Sequence, residues 1–173
     1  GSVSMLPVTY GYLLMLGAEG LKYVTEMAIL NANYLASSFE KLGFKILFKG
    51  KQGRVGHEMI WDCSAFNKEY GISELDIAKR LMDFGFHAPT LSFPVHGTLM
   101  VEPTESEPKE ELDRFIEALK TIREEMCEVA EGKADKTDNV LKNAPHTHKV
   151  LTADEWTHTY PRSKAAYPLP CVA

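Results

Sequence analysis

The chain has 173 residues, of which 24 are acidic and 19 are basic, so its formal net charge at pH 7 is −5. A chain of this length can bury roughly two-thirds of its unfolded surface, which suits one domain plus a tail. No run of lysine and arginine is longer than two residues, which argues against a surface for nucleic acid or anionic membranes. The composition therefore favours proteins or small molecules as partners.

Cysteine usage and apolar runs indicate a soluble intracellular chain. Cys63, Cys127 and Cys171 are odd in number and widely spaced, a pattern typical of reduced thiols. The apolar run of residues 10–16 is too short to span a bilayer and no basic segment precedes it, so neither a transmembrane helix nor a signal peptide is predicted. Because no initiator methionine precedes an apolar helix, we expect a fragment of a longer protein, although Gly1-Ser2 could equally come from cloning.

Two helices are predicted at the start of the chain. An apolar segment covers residues 5–16 and is interrupted by two glycines, Gly17 and Gly20. In residues 20–42, apolar side chains recur at helical spacing, with Asn31 as a gap in the stripe. The second helix is therefore the longer one.

The middle of the chain alternates short strands with helices. Residues 44–48 and 57–62 indicate two strands joined by a glycine-rich, hairpin-like connection. A capping-box pattern at residues 73–76 begins a helix, Thr98–Val101 is a third strand, and residues 108–131 form an amphipathic helix. The order ααββαβα predicts an α+β domain with a three-stranded, mainly antiparallel sheet backed by helices.

Residues 133–173 differ in pattern from residues 1–132, which hold the helix pair and the α+β domain. Regular periodicity is lost and four prolines punctuate the segment. Val150, Trp156 and Tyr160 make it too apolar for a free disordered segment. The sequence predicts an extended C-terminal tail that wraps over a surface, either of its own domain or of a missing one.

The loop of residues 86–107 carries three prolines between two amphipathic helices. Each proline fixes φ and removes an N–H donor, so the loop is expected to be extended and stiff. Glu102 and Thr104 follow its strand, where they could face a ligand or cap the next helix, a role also suited to Ser106. His87, near the start of the loop, could face the same ligand or be a core histidine.

A second cluster of polar residues lies in the glycine-rich bend before residue 59. Arg54, His57 and Glu58 stand where a glycine-rich bend enters a strand, a place where charged side chains can face a ligand. A solvated loop or an ion pair at the strand end is the alternative. The candidate lining of a substrate pocket or channel is therefore Arg54, His57, His87, Glu102 and Thr104.

Three histidines near the C-terminus are candidate metal ligands. His146 and His148 are two residues apart and His158 follows, but this proline-flanked spacing lacks the geometry of zinc motifs and no cysteine or carboxylate partner is placed. The sequence also lacks a Ser-His-Asp order, a pair of cysteines separated by two residues, and a glycine loop for phosphate. We predict no metal site and no complete active site.

Long motifs in a constant order run through nearly the whole chain: GSVSMLP, EMAILNANYLA, GRVGHE, FHAPT, GTLMVEPTESE, KEELDRF and YPLP. They closely resemble the C-terminal part of the glycine decarboxylase family, the pyridoxal-phosphate enzymes called P-proteins of the glycine cleavage system. The resemblance implies the aspartate-aminotransferase-like fold, known as fold type I. This chain would be its small C-terminal domain.

The resemblance also implies where the catalytic lysine lies. In the family, the lysine that forms a Schiff base with pyridoxal 5′-phosphate sits in a His-Lys motif before a glycine-rich run. Here His148-Lys149 is followed by Val150-Leu151, which departs from that pattern, so the lysine is expected N-terminal to Gly1. The fragment then holds no catalytic residue, is not expected to bind the cofactor alone, and is expected to be inactive by itself.

The function implied is that of an oxidoreductase of glycine catabolism, which decarboxylates glycine and passes the aminomethyl group to the lipoyl arm of a carrier protein, the H protein. The implied partners are the N-terminal lysine-bearing domain and that carrier, in a homo- or hetero-oligomer. The implied location is the bacterial cytoplasm or the mitochondrial matrix. The alternative is a free-standing α+β protein-binding module that presents residues 86–107.

Ser2 and Ser4 are the candidate cofactor-binding residues. In related pyridoxal enzymes a glycine-hydroxyl segment reaches the cofactor phosphate of the other subunit. Small residues let main-chain N–H groups approach an anion, and a helix N-terminus favours negative charge. The alternative is that Ser4 only caps the first helix.

Overall fold

The computed structural model describes residues 1–169, and it begins with a long helical arm. A short 3₁₀ helix, Val3–Met5, leads into α1, Leu6–Lys41. Gly17 has φ 59° and ψ −172°, which breaks the helical geometry inside α1, and glycine takes this conformation without a Cβ clash. The predicted interruption is therefore at Gly17, whereas Gly20 continues the helix.

The sheet has four strands, so the prediction of three strands was wrong. They are β1 (Lys45–Leu47), β2 (Met59–Asp62), β3 (Thr90–Leu91) and β4 (Thr98–Val101), in the order β1-β2-β4-β3 with every neighbouring pair antiparallel. Strand β3 has two residues and follows Pro89, so it carries too little alternation to be recognised from sequence. The α+β class is confirmed.

Three further helices complete the domain: α2 (Ser64–Tyr70), α3 (Glu74–Asp83) and α4 (Lys109–Ala130). The capping box of α3 is confirmed, because Ser73 accepts from the N–H of Asp76 and donates its own N–H to the Asp76 carboxylate. Helix α2 was not predicted. The proposed cap of α4 by Ser106 is wrong, since Pro108 occupies the N-cap and the Ser106 hydroxyl lies 2.8 Å from the Thr104 hydroxyl.

The core lies between the helices and one face of the sheet. Trp61 on β2 is fully buried, with its ring 5.4 Å from that of Phe39 and 4.5 Å from that of Phe44. Aromatic pairs at these distances add to the free energy gained from apolar burial. They join α1, β2 and the chain entering β1 into one unit.

Residues 133–169 contain three short helices: α5 (Val140–Asn143), α6 (His148–Leu151) and α7 (Arg162–Ala166). His146 contacts Asp83 of α3 through Nδ1 (2.7 Å) and the Tyr160 hydroxyl through Nε2 (2.7 Å). Nδ1 of His158 lies 2.8 Å from Asp138. Two of the candidate metal ligands are thus engaged in hydrogen bonds, and within residues 1–169 no group of histidine, cysteine and carboxylate side chains is arranged to hold a metal ion.

The cysteines differ in exposure. Cys63 is buried and Cys127 is exposed, both as free thiols, and burial raises the pKa of the Cys63 thiol. Cys171 lies outside the described residues. Across residues 1–169 there is no helix with the length and apolar character needed to cross a membrane.

Candidate functional site

Two asparagines in the C-terminal third of α1 hold two separate loops. Asn31 donates its amide to the carbonyl oxygens of Thr104 (2.8 Å) and Glu107 (3.3 Å). Asn33 donates to the carbonyl of Val55 (2.9 Å) and accepts from the Val55 N–H (3.0 Å). Because partly buried main-chain groups need partners, these bonds fix the two loops that carry most of the predicted site residues.

The two loops bring His57 and Glu102 together. Nε2 of His57 lies 3.7 Å from Oε1 of Glu102 and 3.9 Å from Oε2 of Glu58. The side chains of His57 and Glu102 are 60% and 54% exposed, so solvent screens this pair and it contributes little to stability. Both groups are therefore accessible to a ligand.

His57, Glu102 and Thr104 line one cavity of about 400 Å³, here called the strand-end cleft. The opposite wall comes from α1 and is formed by Tyr12, Val24, Thr25, Ala28 and Ile29. The cleft thus combines a polar side from the loops with a mainly apolar side from the helix. Such a mixture is typical of sites that bind small organic groups.

Glu102 also borders a second cavity, of about 330 Å³, here called the acidic groove. Apolar side chains form much of its interior: Leu35, Phe86, Met100, Leu112 and Phe115. The ionisable side chains that line it are His87, Glu102, Glu107 and Glu111. Arg114 donates to both carboxylate oxygens of Glu111 (2.5 and 2.9 Å), and these bonds lower the pKa of Glu111.

The structure separates the five predicted pocket residues into three groups. His57, Glu102 and Thr104 meet in the strand-end cleft, and His87 lines the acidic groove on the other side of Glu102. Arg54 is exposed and lines neither cavity. Its carbonyl oxygen accepts from the N–H of Gly50 (2.8 Å), which closes the turn of that loop.

Ser2 and Ser4 lie together at the start of the arm. Their hydroxyl oxygens are 2.6 Å apart and both residues are exposed. Neither hydroxyl caps a helix, since Ser2 is the N-cap of the 3₁₀ helix without a side-chain bond and Met5 is the N-cap of α1. The capping role considered for Ser4 is therefore absent.

Comparison with known protein families shows to which family this chain belongs. Residues 24–146 match the profile of a family described as glycine dehydrogenase, C-terminal domain. The chain belongs to this family. The matched range includes Asn31, Asn33, His57 and Glu102, whereas Ser2 and Ser4 precede it.

Curated relatives are similar to this chain along nearly its whole length. Glycine dehydrogenase (decarboxylating) of Bacteroides fragilis is 58% identical over 172 residues, and that of Stenotrophomonas maltophilia is 57% identical over 170 residues. These alignments cover 99% and 98% of this chain. The chain spans 18% of the length of each of these relatives.

The sequence did not reveal the pair of asparagines, Asn31 and Asn33, that organises the candidate site. The available signal was a polar residue, Asn31, inside an otherwise apolar helical stripe. Its partners lie 73 and 76 residues further along the chain, so local pattern gives no indication of them. A buried amide in a helix stripe is a reason to look for a distant loop, because buried polar groups are nearly always hydrogen-bonded.

Proposed function

We propose that this chain is the C-terminal portion of a pyridoxal-phosphate-dependent glycine decarboxylase. The observation that carries the proposal is the identity of 58% over 99% of the chain to a protein named glycine dehydrogenase (decarboxylating). In the proposed reaction the bond between the two glycine carbons breaks and carbon dioxide leaves. The methylene carbon bonds to one sulfur of an oxidised lipoyl group on a carrier protein, and the other sulfur takes up a proton, so the broken bond's electron pair reduces the disulfide.

The residues at the start of the arm have the donor chemistry that the cofactor phosphate requires. The two adjacent hydroxyls of Ser2 and Ser4 are exposed, and the space beside Gly1 is open. When bound, pyridoxal phosphate supplies an electron sink for the carbon that loses carbon dioxide. Ser2 and Ser4 would hold the phosphate by donating hydrogen bonds, as anions favour helix N-termini and hydroxyl donors.

The rest of the described chain contributes orientation rather than covalent attachment. Among residues 1–169, no lysine lines the strand-end cleft or the acidic groove. A partner domain of fold type I would supply that lysine. His57, Glu102, Thr104 and His87 would line the channel between the two domains, and Arg54 is exposed nearby to contact an acidic partner.

The proposed function is tested with carboxyl-labelled glycine and the full-length protein that carries this chain. With pyridoxal phosphate and a lipoylated carrier protein present, labelled carbon dioxide should be released only when all components are added. Release from alanine instead of glycine, or no release at all from a folded protein that binds the cofactor, would contradict it.

The role of Ser2 and Ser4 has its own readout. In the full-length protein, replacing both serines by alanine should weaken cofactor affinity by about 1–3 kcal/mol, the cost of leaving a buried polar partner without its hydrogen bond. Thr9→Ala is the matched control, because Thr9 is exposed on the same arm and its hydroxyl donates to the Met5 carbonyl. Unchanged affinity in the double variant would remove Ser2 and Ser4 from the phosphate site.

A further inference from the structure

One side of the sheet carries a row of apolar side chains that does not belong to the core. Leu47, Ile60 and Met100 are cross-strand neighbours on β1, β2 and β4. Trp61 and Leu99, which stand next to this row along the strands, belong to the core. Because successive side chains of a strand point to opposite faces, the row lies on the side away from the core, here called the outer sheet face.

Two exposed phenylalanines stand at the edges of the outer sheet face. Phe48 and Phe93 line a cavity of about 340 Å³ on this face and are 67% and 58% exposed. Every residue that lines the cavity belongs to a strand or a loop, so no helix within residues 1–169 covers it. Exposed apolar patches that include aromatic rings are typical of protein interfaces.

The backbone beside both rings is in the left-handed region. Phe48 has φ 56°, and Ser92, which precedes Phe93, has φ 51°. This conformation is uncommon for residues other than glycine and costs about 1–3 kcal/mol. Residues strained in this way cluster at binding sites, which agrees with a role of the two rings in contact with another surface.

The loop between β1 and β2 gives the outer sheet face a basic border. Residues 41–57 contain four lysines and one arginine but no acidic residue, and two of the lysines form ion pairs with carboxylates outside this segment. The exposed side chains of Lys51 and Arg54 have no hydrogen-bond or ion-pair partner in the described chain. Glu58 also lines the cavity, with His57 at 3.9 Å from its carboxylate. A surface that carries carboxylates is therefore complementary to this border.

The length of the relatives indicates where such a surface comes from. The chain spans 18% of the length of these relatives, so most of a full-length protein of this kind lies outside it. A second copy of the chain fits less well. In a symmetric pair the same patch meets itself, which would bring one basic border against the other.

We propose that the outer sheet face packs against another part of the same full-length polypeptide, which presents apolar side chains flanked by carboxylates. The apolar side chains cover the row on the sheet and contact the two phenylalanine rings, and the carboxylates pair with Lys51 and Arg54. The sheet then lies between two layers that bury both of its apolar faces. The inference rests on membership of the family and is independent of the proposed reaction.

Hydroxyl-radical footprinting of the unmodified full-length protein, read by mass spectrometry, tests whether the face is covered. Modification of Phe48 and Phe93 should be at least about tenfold slower in the native than in the urea-unfolded protein, because covered side chains react only through local opening. Tyr167 is the control for an exposed ring, since it is 63% exposed and does not line the cavity.

Two outcomes of the footprinting would overturn the proposal. Modification of both phenylalanines at the rate of the unfolded protein would show an open face that is available to a separate partner. Protection that disappears on dilution would identify a second copy, because cover by the same polypeptide does not depend on concentration.

Charge reversal tests the carboxylates of the covering segment. Lys51→Glu combined with Arg54→Glu should raise the modification of Phe93 in the native full-length protein about fivefold, because like charges would then face each other. Lys136→Glu combined with Lys149→Glu is the matched control, since both lysines are exposed and have no partner in the described chain. Circular dichroism verifies folding, and the two glutamine substitutions give the same comparison if the reversed variant does not fold. Equal protection of Phe93 in the test and control variants would overturn the proposal.

Discussion

Replacing Arg80 by methionine should destabilise the domain strongly, because this guanidinium is fully buried and donates to four acceptor atoms on three residues. It donates to both oxygens of Glu125 (3.0 and 2.6 Å), to Asp83 (2.9 Å) and to the carbonyl of Lys164 (3.0 Å). Burial alone would lower the pKa of Arg80, but the bonds to Glu125 and Asp83 outweigh burial and raise it. The side chain therefore stays charged, and methionine keeps its apolar volume but none of its donors.

The expected loss of unfolding free energy follows from the burial of the carboxylates that Arg80 contacts. The side chains of Glu125 and Asp83 are only 3% and 4% exposed. Loss of Arg80 leaves the Glu125 carboxylate without its hydrogen-bonded cation inside the protein, whereas Asp83 keeps its contact with His146. Removal of one partner from a buried pair costs about 3–5 kcal/mol. With a urea dependence of about 2 kcal/mol per M, the unfolding midpoint should fall by roughly 2 M.

Urea unfolding followed by near-ultraviolet circular dichroism measures this change. The double variant Arg80→Met with Glu125→Met should recover part of the loss, since the uncompensated charge on Glu125 is also removed. Lys109→Met is the control for a surface pair, because Lys109 and Asp113 are 67% and 44% exposed. A midpoint for Arg80→Met within error of the wild type, or a double variant as unstable as the two losses added, would refute the reasoning.

Three further predictions concern local features. Ser73→Ala should cost about 1 kcal/mol in the free energy of unfolding, because α3 loses its capping box; a cost below the error of the measurement would contradict the cap. Burial alone would raise the pKa of Asp76, but bonds from Lys142 and Ser73 lower it below 3.8. The ionised Asp76 carboxylate therefore contributes its full stabilisation above pH 3.8 and loses it as pH falls through the folded-state pKa. Asp76→Asn should flatten the acid side of the curve of unfolding free energy against pH. An unchanged curve would contradict this role of Asp76. Asn33→Leu should increase amide hydrogen exchange at Val55 with little change in the central strands, whereas protection equal to wild type would show that the loop does not depend on Asn33.

The sequence predicts elements whose signals are local. Helix α3 has both members of its capping box within four residues, and α4 shows an apolar stripe over six turns. Strand β3 could not be predicted because its two residues form a strand only through pairing with β4. Tertiary contact decided its conformation.

The candidate site could likewise be predicted only as far as local sequence patterns indicate it. Residue type and position at strand ends were enough to select His57, Glu102 and Thr104, which meet in one cleft. Their meeting depends on bonds from Asn31 and Asn33 to loops distant in sequence. In the sequence, Asn31 is recognisable only as a polar residue in the apolar stripe of α1. Its hydrogen bond to a carbonyl 73 residues away has no counterpart in the local sequence pattern.

In the proposed function, this chain is part of an enzyme that moves the methylene carbon of glycine to a lipoyl arm. Mass spectrometry of the intact carrier protein tests it most directly. After incubation with the full-length protein, pyridoxal phosphate and glycine, the oxidised lipoylated carrier should gain the mass of glycine minus carbon dioxide, and glycine labelled at the methylene carbon should transfer its label. A carrier of unchanged mass, with a folded enzyme that binds its cofactor, would contradict the account.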